Sequence, residues 1–141
     1  MKSEELMRLA LEEAKKSSLK DEVPVGCIIM KDDKIIAQTH NLVEVNNDPT
    51  NHAEILALKK AYKILNTKNL LGCKIFITLE PCLMCLGAII NSHIKEIYFG
   101  ALDVNGGAFS FYNVSPSSLE IHYIKTKECE QILSTFFKTK R

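Results

Sequence analysis

The chain has 141 residues, of which 46% are hydrophobic and 25% are charged, and its formal net charge is +1. This length suits a single domain spanning residues 1–141, while the near-neutral charge excludes an overall basic field, so any contact with nucleic acid needs a local patch. Five cysteines, no apolar leader and no apolar stretch of the ~20 residues that span a bilayer predict a reduced, cytoplasmic protein without membrane contact, whose cysteines bind metal rather than pair.

The N-terminal half predicts a helix, a β-hairpin and a second helix. Ser3 is a candidate N-cap for the first helix, in which apolar residues recur at helical spacing: Leu6, Met7, Ala10, Leu11 and Ala14. Val23–Met30 and Ile35–Thr39 are short apolar runs around a polar turn at 31–34, which is typical of a hairpin. The second helix is predicted from His52 to about Leu65.

The C-terminal half alternates strands and helices. The predicted elements are, in chain order, a strand at Lys74–Leu79, a helix from Cys82 to about Ser92, a strand at Ile94–Phe99, a strand at Leu119–Ile124 and a last helix capped by Thr126. Gly100–Ser118 is loop-like, with Gly106 and Gly107 as breakers. The last helix carries an apolar stripe of Cys129, Ile132, Leu133, Phe136 and Phe137. This order predicts an α/β fold, in which a sheet has helices on both faces.

Two short segments bring together residue types that bind metal. His-Ala-Glu opens the second predicted helix at 52–54, and Pro-Cys-Leu-Met-Cys opens the third at 81–85. Cys82 and Cys85 share a helix face, at the helix end whose dipole favours the thiolate form. His52 would supply a third ligand, and three protein ligands plus water are typical of a catalytic zinc site. Glu54 is rotated by about 200° from His52 on a regular helix, which suits a proton shuttle better than a fourth ligand.

Two other interpretations of these residues stay open. Cys82 and Cys85 could be small core residues, with His52 and Glu54 at the surface, although the joint pattern favours a functional site. A closed structural zinc module would instead need a fourth ligand, from among Cys27, His40, Cys73, His93, His122 and Cys129. Cys27 lies in an apolar strand and Cys129 in the apolar stripe, so we expect both in the core.

His-x-Glu followed by Pro-Cys-x-x-Cys is the signature of zinc-dependent nucleobase deaminases, and further segments resemble the bacterial tRNA-specific adenosine deaminases. These are 22–26 (Glu-Val-Pro-Val-Gly), Asn41, 48–50 (Asp-Pro-Thr), 78–82 (Thr-Leu-Glu-Pro-Cys), 99–101 (Phe-Gly-Ala) and the end of the chain, Cys129 to Lys138. The resemblance implies the cytidine-deaminase fold, which has three α-β-α layers around a five-stranded mixed sheet. It also implies a homodimer with one zinc ion per subunit, which converts adenosine to inosine at the wobble position of a tRNA anticodon.

The same resemblance implies roles for single residues. His52, Cys82 and Cys85 would hold zinc, and Glu54 would carry a proton from the attacking water to the departing ammonia. Asn41 would hydrogen-bond the target base, since an amide suits an edge with both donors and acceptors. Further contacts to the base or the anticodon loop would come from Val25, Ala53, the Glu80 carbonyl, Asp103, Phe136, Phe137 and Lys138, extended by Lys140 and Arg141.

Some residues depart from this family. Asn51 stands where the family often has a small residue, His93 replaces a frequent arginine, and Leu86 replaces a small residue after the second cysteine. The stretch Ala108–Tyr112 lacks the usual Gly-Ser segment, and the connection that follows it, up to Ser118, is short. These departures concern the substrate rim and leave the metal ligands intact. The alternative function is therefore a guanine deaminase, or a deaminase of another free nucleobase or nucleotide. A non-enzymatic zinc-binding module is the third hypothesis.

Overall fold

Helices and strands alternate along the chain in the computed structural model, which describes residues 1–139. In chain order they are α1 (Ser3–Leu19), β1 (Gly26–Lys31), β2 (Lys34–His40), α2 (Ala53–Leu65), β3 (Lys74–Ile77), α3 (Leu83–Ser92), β4 (Glu96–Phe99), β5 (Glu120–Tyr123) and α4 (Lys127–Thr139). Lys140 and Arg141, expected to extend the RNA contact, lie outside the described residues. Within residues 1–139, no helix combines the length and the apolar character needed to cross a membrane.

The strands form one mixed sheet in the order β2-β1-β3-β4-β5. β1 is antiparallel to both of its neighbours, so that Cys27 pairs with Thr39 of β2 and with Ile77 of β3. β3, β4 and β5 are parallel, with Ile77 beside Phe99 and Phe99 beside Tyr123. The prediction of a five-stranded mixed sheet is confirmed.

Helices cover both faces of this sheet, which confirms the predicted three layers. One core packs Ala57 of α2 and Ile89 of α3 against strand residues such as Ile75. Phe76, the next residue of β3, faces the other core, where Cys129 of α4 is buried together with residues of α1. The two cores separate cleanly because successive side chains of a strand point to opposite faces.

The β1–β2 hairpin turns through Asp32 and Asp33, whose φ angles are 49° and 61°. Positive φ at both central residues is the type I′ geometry, which matches the twist of the two strands. The strands consequently extend to Lys31 and Lys34, which pair with each other although the sequence pattern placed them in the turn.

β1 begins at Gly26, later than the predicted Val23. Pro24 has no N–H to donate to a neighbouring strand, and the N–H of Val25 donates locally to the carbonyl oxygen of Val23 at 3.0 Å. At Gly26 helix α1 crosses the sheet so closely that a Cβ atom would overlap the carbonyl oxygen of Ala10. Glycine at this position therefore sets how near α1 lies to the sheet.

The first helix starts differently from the prediction, whereas the last helix starts directly after Thr126 as predicted. Ser3 is the first residue of α1 and not its cap, because Lys2 occupies the N-cap position and provides no side-chain cap. Thr126 directly precedes α4, and its hydroxyl donates to the carbonyl oxygen of Ile124 at 2.8 Å. The predicted apolar stripe of α4 is buried only in its first part, since Phe137 is 51% exposed.

Candidate functional site

A cavity of about 830 Å³ lies where α2 and α3 begin. Most of the site residues expected from the sequence line this cavity: Val25, Asn41, His52, Ala53, Glu54, Glu80, Cys82, Asp103, Phe136 and Phe137. They come from residues that flank strands, from helix starts, from loops and from the last helix. The fold therefore collects into one cavity residues that are spread from the segment before β1 to the last helix.

His52 and Cys82 are the N-cap residues of α2 and α3, whereas the sequence pattern made each the first helical residue. Both have extended backbone conformations, with ψ angles of 155° and 174°. The hydroxyl of Thr39 on β2 donates to the carbonyl oxygen of Ala53 at 2.7 Å, which fixes the start of α2 against the sheet. Two helices thus begin at the cavity, and the positive ends of their dipoles favour negative charge there.

The donor atoms of His52, Cys82 and Cys85 converge on one another. Nδ1 of His52 lies 3.7 Å from Sγ of Cys82 and 3.5 Å from Sγ of Cys85, and all three donor atoms lie within 4.8 Å of one another. With Zn–S bonds of ~2.3 Å and Zn–N bonds of ~2.0–2.1 Å, a tetrahedral site has an N···S edge of roughly 3.6 Å. The spacing of the donor atoms therefore fits a zinc ion.

The two thiols influence each other's pKa because they lie close together. A hydrogen bond with Cys85 lowers the pKa of the Cys82 thiol to about 4, despite partial burial. The same hydrogen bond, together with burial, raises the pKa of Cys85. A thiolate at one sulfur disfavours a second thiolate beside it, and a bound cation would favour the charged form of both.

Glu54 is the second residue of α2 and is only 4% exposed. Burial raises the pKa of its carboxyl to about 7, although its own backbone N–H and the neighbouring His52 act in the opposite direction. Among the described residues, the donor group that could hold a metal at this cavity consists of His52, Cys82 and Cys85, and Glu54 stands beside it. The site therefore combines three possible metal donors with one adjacent, buried carboxyl group.

Asn41 forms part of the cavity wall directly after β2 and is 7% exposed. Its backbone is held from two sides. Its N–H donates to the carbonyl oxygen of Val25 at 3.1 Å, and its own carbonyl oxygen accepts from the buried hydroxyl of Ser17 on α1, also at 3.1 Å. The amide group is thereby presented to the cavity from a fixed backbone.

Two buried carboxylates in the cavity wall have roles that the sequence analysis missed. The carboxylate of Glu80, expected to act only through its carbonyl, accepts from backbone N–H groups of Asp103, Phe109 and Ser110. The carboxylate of Glu22 accepts from the N–H groups of residues 44 and 45 at 2.9 and 2.6 Å. The only sequence signal was an acidic residue beside an apolar strand, which is also common at the surface.

The residues expected to contact RNA lie at the outer part of the cavity. Asp103 is half-buried, and Phe136 and Phe137 form an edge-to-face pair with ring centroids 5.5 Å apart. Lys138 is exposed on the last turn of α4 and is not among the described residues that line the cavity. The structure also adds apolar and amide lining residues that the sequence did not indicate: Leu79, Leu102, Val104, Asn105 and Leu133.

The remaining cysteines and histidines do not complete a closed metal site in the described part of the chain. Cys27 and Cys129 are 0% exposed in the two cores, as predicted, and Cys73 is buried as well. The His40 ring contacts the Glu13 carboxylate at 2.9 Å. The donor group at the cavity therefore keeps three protein ligands, which is the number found in catalytic zinc sites.

Sequence and structure comparisons place the chain among deaminases. A family model described as MafB19-like deaminase matches residues 1–141. The tRNA-specific adenosine deaminase of Aquifex aeolicus is 45% identical over an alignment that covers 100% of this chain and 97% of that protein. A solved structure from a study of A-to-I editing by tRNA:A34 deaminases has a TM-score of 0.84 and 35% identity, covering 92% of this chain and 99% of its own. The guanine deaminase of Bacillus subtilis has a TM-score of 0.71 and 29% identity, with 99% and 94% covered.

Proposed function

The chain belongs to the family of tRNA-specific adenosine deaminases, and on that premise we propose that it converts adenosine to inosine at the wobble position of a tRNA anticodon. The observation that carries this proposal is the cavity in which three converging metal donors lie beside the buried carboxyl of Glu54. Glu54 also argues against a non-enzymatic zinc module, which would have no use for a buried carboxyl at its metal site.

We assign zinc to the donor group, with His52, Cys82 and Cys85 as its ligands. When bound, zinc lowers the pKa of water at such a site toward ~7 and so makes a nucleophile available at neutral pH. Glu54 would take the proton that the attacking water releases and deliver it to the exocyclic nitrogen of adenine. That nitrogen leaves as ammonia, and the amino group of adenine is replaced by the carbonyl oxygen of inosine.

Asn41 supports the orientation of the base. Its fixed backbone and its position on the cavity wall allow the amide to donate and accept at the mixed edge of adenine. Val25 and Ala53 line the same cavity and give it an apolar surface for the ring. A base that is held on two sides reaches the attacking water in one orientation, which is how positioning lowers a barrier.

The outer part of the cavity favours an anticodon loop over duplex RNA. Bases of a loop can be splayed out, and the Phe136–Phe137 pair offers aromatic surface on which an unstacked base can pack. The described lining residues include several carboxylates and neither Lys nor Arg. Contacts to phosphates would therefore come from outside the cavity, for example from the exposed Lys138.

A tRNA substrate also implies that the enzyme works in the cytoplasm.

We further propose a homodimer that pairs through α3. Leu83, Gly87 and Ile90 recur at helical spacing on one side of α3, and this side is exposed together with Met84. Helices that are apolar on all sides are normally buried, and a second copy of the chain is the occupant that the family implies. Ile90→Lys should give a monomer in sedimentation velocity. The control is Leu19→Lys, which changes an exposed residue at the end of α1, away from α3, and should leave the dimer intact. A wild-type monomer would contradict the proposal.

The test of function is inosine formation in a synthetic anticodon stem-loop with adenosine at the wobble position. Guanine, cytidine and deoxycytidylate are assayed in parallel by ammonia release. We expect inosine with the wild-type protein and at least about 100-fold slower formation with Glu54→Ala. Ammonia from guanine without inosine in the stem-loop would favour a guanine deaminase. We rank that function second because the similarity to the Bacillus subtilis guanine deaminase is lower.

A further inference from the structure

We propose that Glu80 is a positioning residue for substrate binding. Its buried carboxylate folds residues 102–111, here called the rim loop, against the cavity. The proposal rests on the proposed function, because it assigns the rim loop to the binding of the anticodon. The carboxylate itself reaches neither the base nor the donor group of the metal in this assignment.

The Glu80 carboxylate is surrounded by donors that belong to the rim loop, and Glu80 as a whole is only 2% exposed. One oxygen accepts from the N–H of Asp103 at 3.0 Å and from the hydroxyl of Ser110 at 2.6 Å. The other accepts from the N–H groups of Phe109 and Ser110 at 2.8 and 2.7 Å. Hydrogen bonds to a carboxylate are roughly twice as strong as those between neutral groups. One side chain thus joins the beginning and the end of the rim loop.

The backbone around Glu80 completes this connection. The N–H of Glu80 donates to the carbonyl oxygen of Ala101 at 2.8 Å, and the carbonyl oxygen of Pro81 accepts from the N–H of Ala108 at 2.9 Å. Between these two anchors, the part of the rim loop that lines the cavity consists of Leu102, Asp103, Val104 and Asn105. The position of that wall relative to Cys82 is therefore set by the Glu80–Pro81 segment.

A pair of neighbouring glycines provides independent support. A Cβ atom at Gly107 would overlap all three carboxylate atoms of Glu80, so a side chain here would displace the carboxylate from its donors. A Cβ atom at Gly106 would meet only Asp103, at an ordinary contact distance of 3.5 Å. Neither glycine is among the residues with positive φ. Gly107 is thus needed for space at the carboxylate, whereas Gly106 is not.

The test uses the full-length, zinc-loaded protein and the variants Glu80→Gln, Gly107→Ala and Gly106→Ala. Glutamine keeps the size of the side chain but loses the charge and places an NH₂ group against N–H donors. Hydrogen exchange of the Phe109 and Ser110 amides reports the loop contact without substrate. Steady-state kinetics on the stem-loop give kcat and KM, and metal analysis gives the zinc content.

In Glu80→Gln we expect both the amide exchange rate of the rim loop and KM to rise by about tenfold or more, because charge-assisted hydrogen bonds are lost. The value of kcat should stay within about threefold of wild type. Gly107→Ala should reproduce both changes even if Glu80→Gln does not fold, and Gly106→Ala should show neither. Unchanged exchange and KM would overturn the proposal. So would a loss of zinc and kcat at constant KM, because Glu80 would then act on the metal site. Absence of inosine with the wild-type protein would instead contradict the proposed function.

Discussion

The floor and the rim of the cavity are built in different ways. The floor, formed by His52, Glu54, Cys82 and Cys85, comes from two helix starts that meet at the sheet. The rim, formed by residues 41–50 and the rim loop, comes from connecting segments without regular structure. Each part of the rim accepts support from one buried carboxylate that lies 22 to 30 residues away from its partners in sequence.

On the proposed function, the floor carries out the chemistry and the rim recognises the substrate. At the floor, donor spacing follows from local helix geometry once the starts of α2 and α3 are in place beside each other. At the rim, backbone position depends on tertiary hydrogen bonds that the carboxylates of Glu22 and Glu80 accept, and all the bonds of one carboxylate are lost together if that carboxylate moves. We therefore expect substitutions at the floor to remove activity, and substitutions that act on the rim to weaken substrate use while leaving the metal in place.

The largest effect is expected for Cys82→Ser. It should lose zinc and activity together, and it should unfold at lower temperature, because zinc present at 100–1,000 times its Kd stabilises the folded state by about 3–4 kcal/mol. Metal analysis and thermal unfolding measure this. The control is Cys73→Ala, which removes another buried thiol outside the cavity and should keep its zinc at a stability cost of about 1 kcal/mol. A zinc content equal to wild type in Cys82→Ser would remove Cys82 from the site.

Glu54→Ala distinguishes proton transfer from metal binding within the floor. Turnover of the stem-loop should fall by about 10²–10⁴-fold, the range for loss of a general acid–base group, while the zinc content stays at wild-type level. Single-turnover inosine formation is the measurement, with Glu5→Ala, an exposed carboxylate of α1, as the control. Loss of zinc in Glu54→Ala would show that the carboxyl supports the metal instead.

The contrast between floor and rim also explains what the sequence could predict. His52, Cys82 and Cys85 could be predicted as a possible metal-binding group because metal ligands recur at fixed spacing near helix starts. The sheet with two helical layers followed from the order of the periodic segments. The carboxylate roles of Glu22 and Glu80 were missed because their partners are backbone N–H groups, which every non-proline residue has. A buried glutamate with such partners cannot be told from a surface glutamate until the chain is folded. The cap assigned to Ser3 failed for a related reason, since a single residue type specifies a helix start only approximately.

Ser17→Ala tests how helix α1 supports the rim at Asn41. The Ser17 hydroxyl is buried and donates to the carbonyl oxygen of Asn41, so alanine leaves that acceptor without its donor at a cost of about 1–3 kcal/mol. Chemical unfolding measures this, and kcat/KM for the stem-loop should fall by less than about tenfold because Asn41 keeps its other backbone anchor. Ser18→Ala, an exposed neighbour in the same helix, should be neutral or slightly stabilising, since alanine is the better helix former. Equal effects of the two variants would contradict a link between α1 and Asn41.

The smallest effect concerns Glu13, which anchors the same side of α1 and has a pH-dependent signature. Burial raises the pKa of its carboxyl, but hydrogen bonds with His40 and Lys16 outweigh burial and hold the pKa below its usual 4.5. A lowered pKa in the folded state contributes stability above the unfolded-state pKa, and this contribution disappears as the pH falls through the lower, folded-state value. The free energy of unfolding of the wild type should therefore exceed that of Glu13→Gln near pH 7, by about 1 kcal/mol or less for a partly exposed pair. This difference should vanish in the acid range.

The matched control is Glu12→Gln, because the Glu12 carboxylate contacts Lys15 at the exposed surface. This variant should show a smaller difference from wild type. A gap between wild type and Glu13→Gln that persists at low pH would show that Glu13 stabilises α1 by packing and not by its charge.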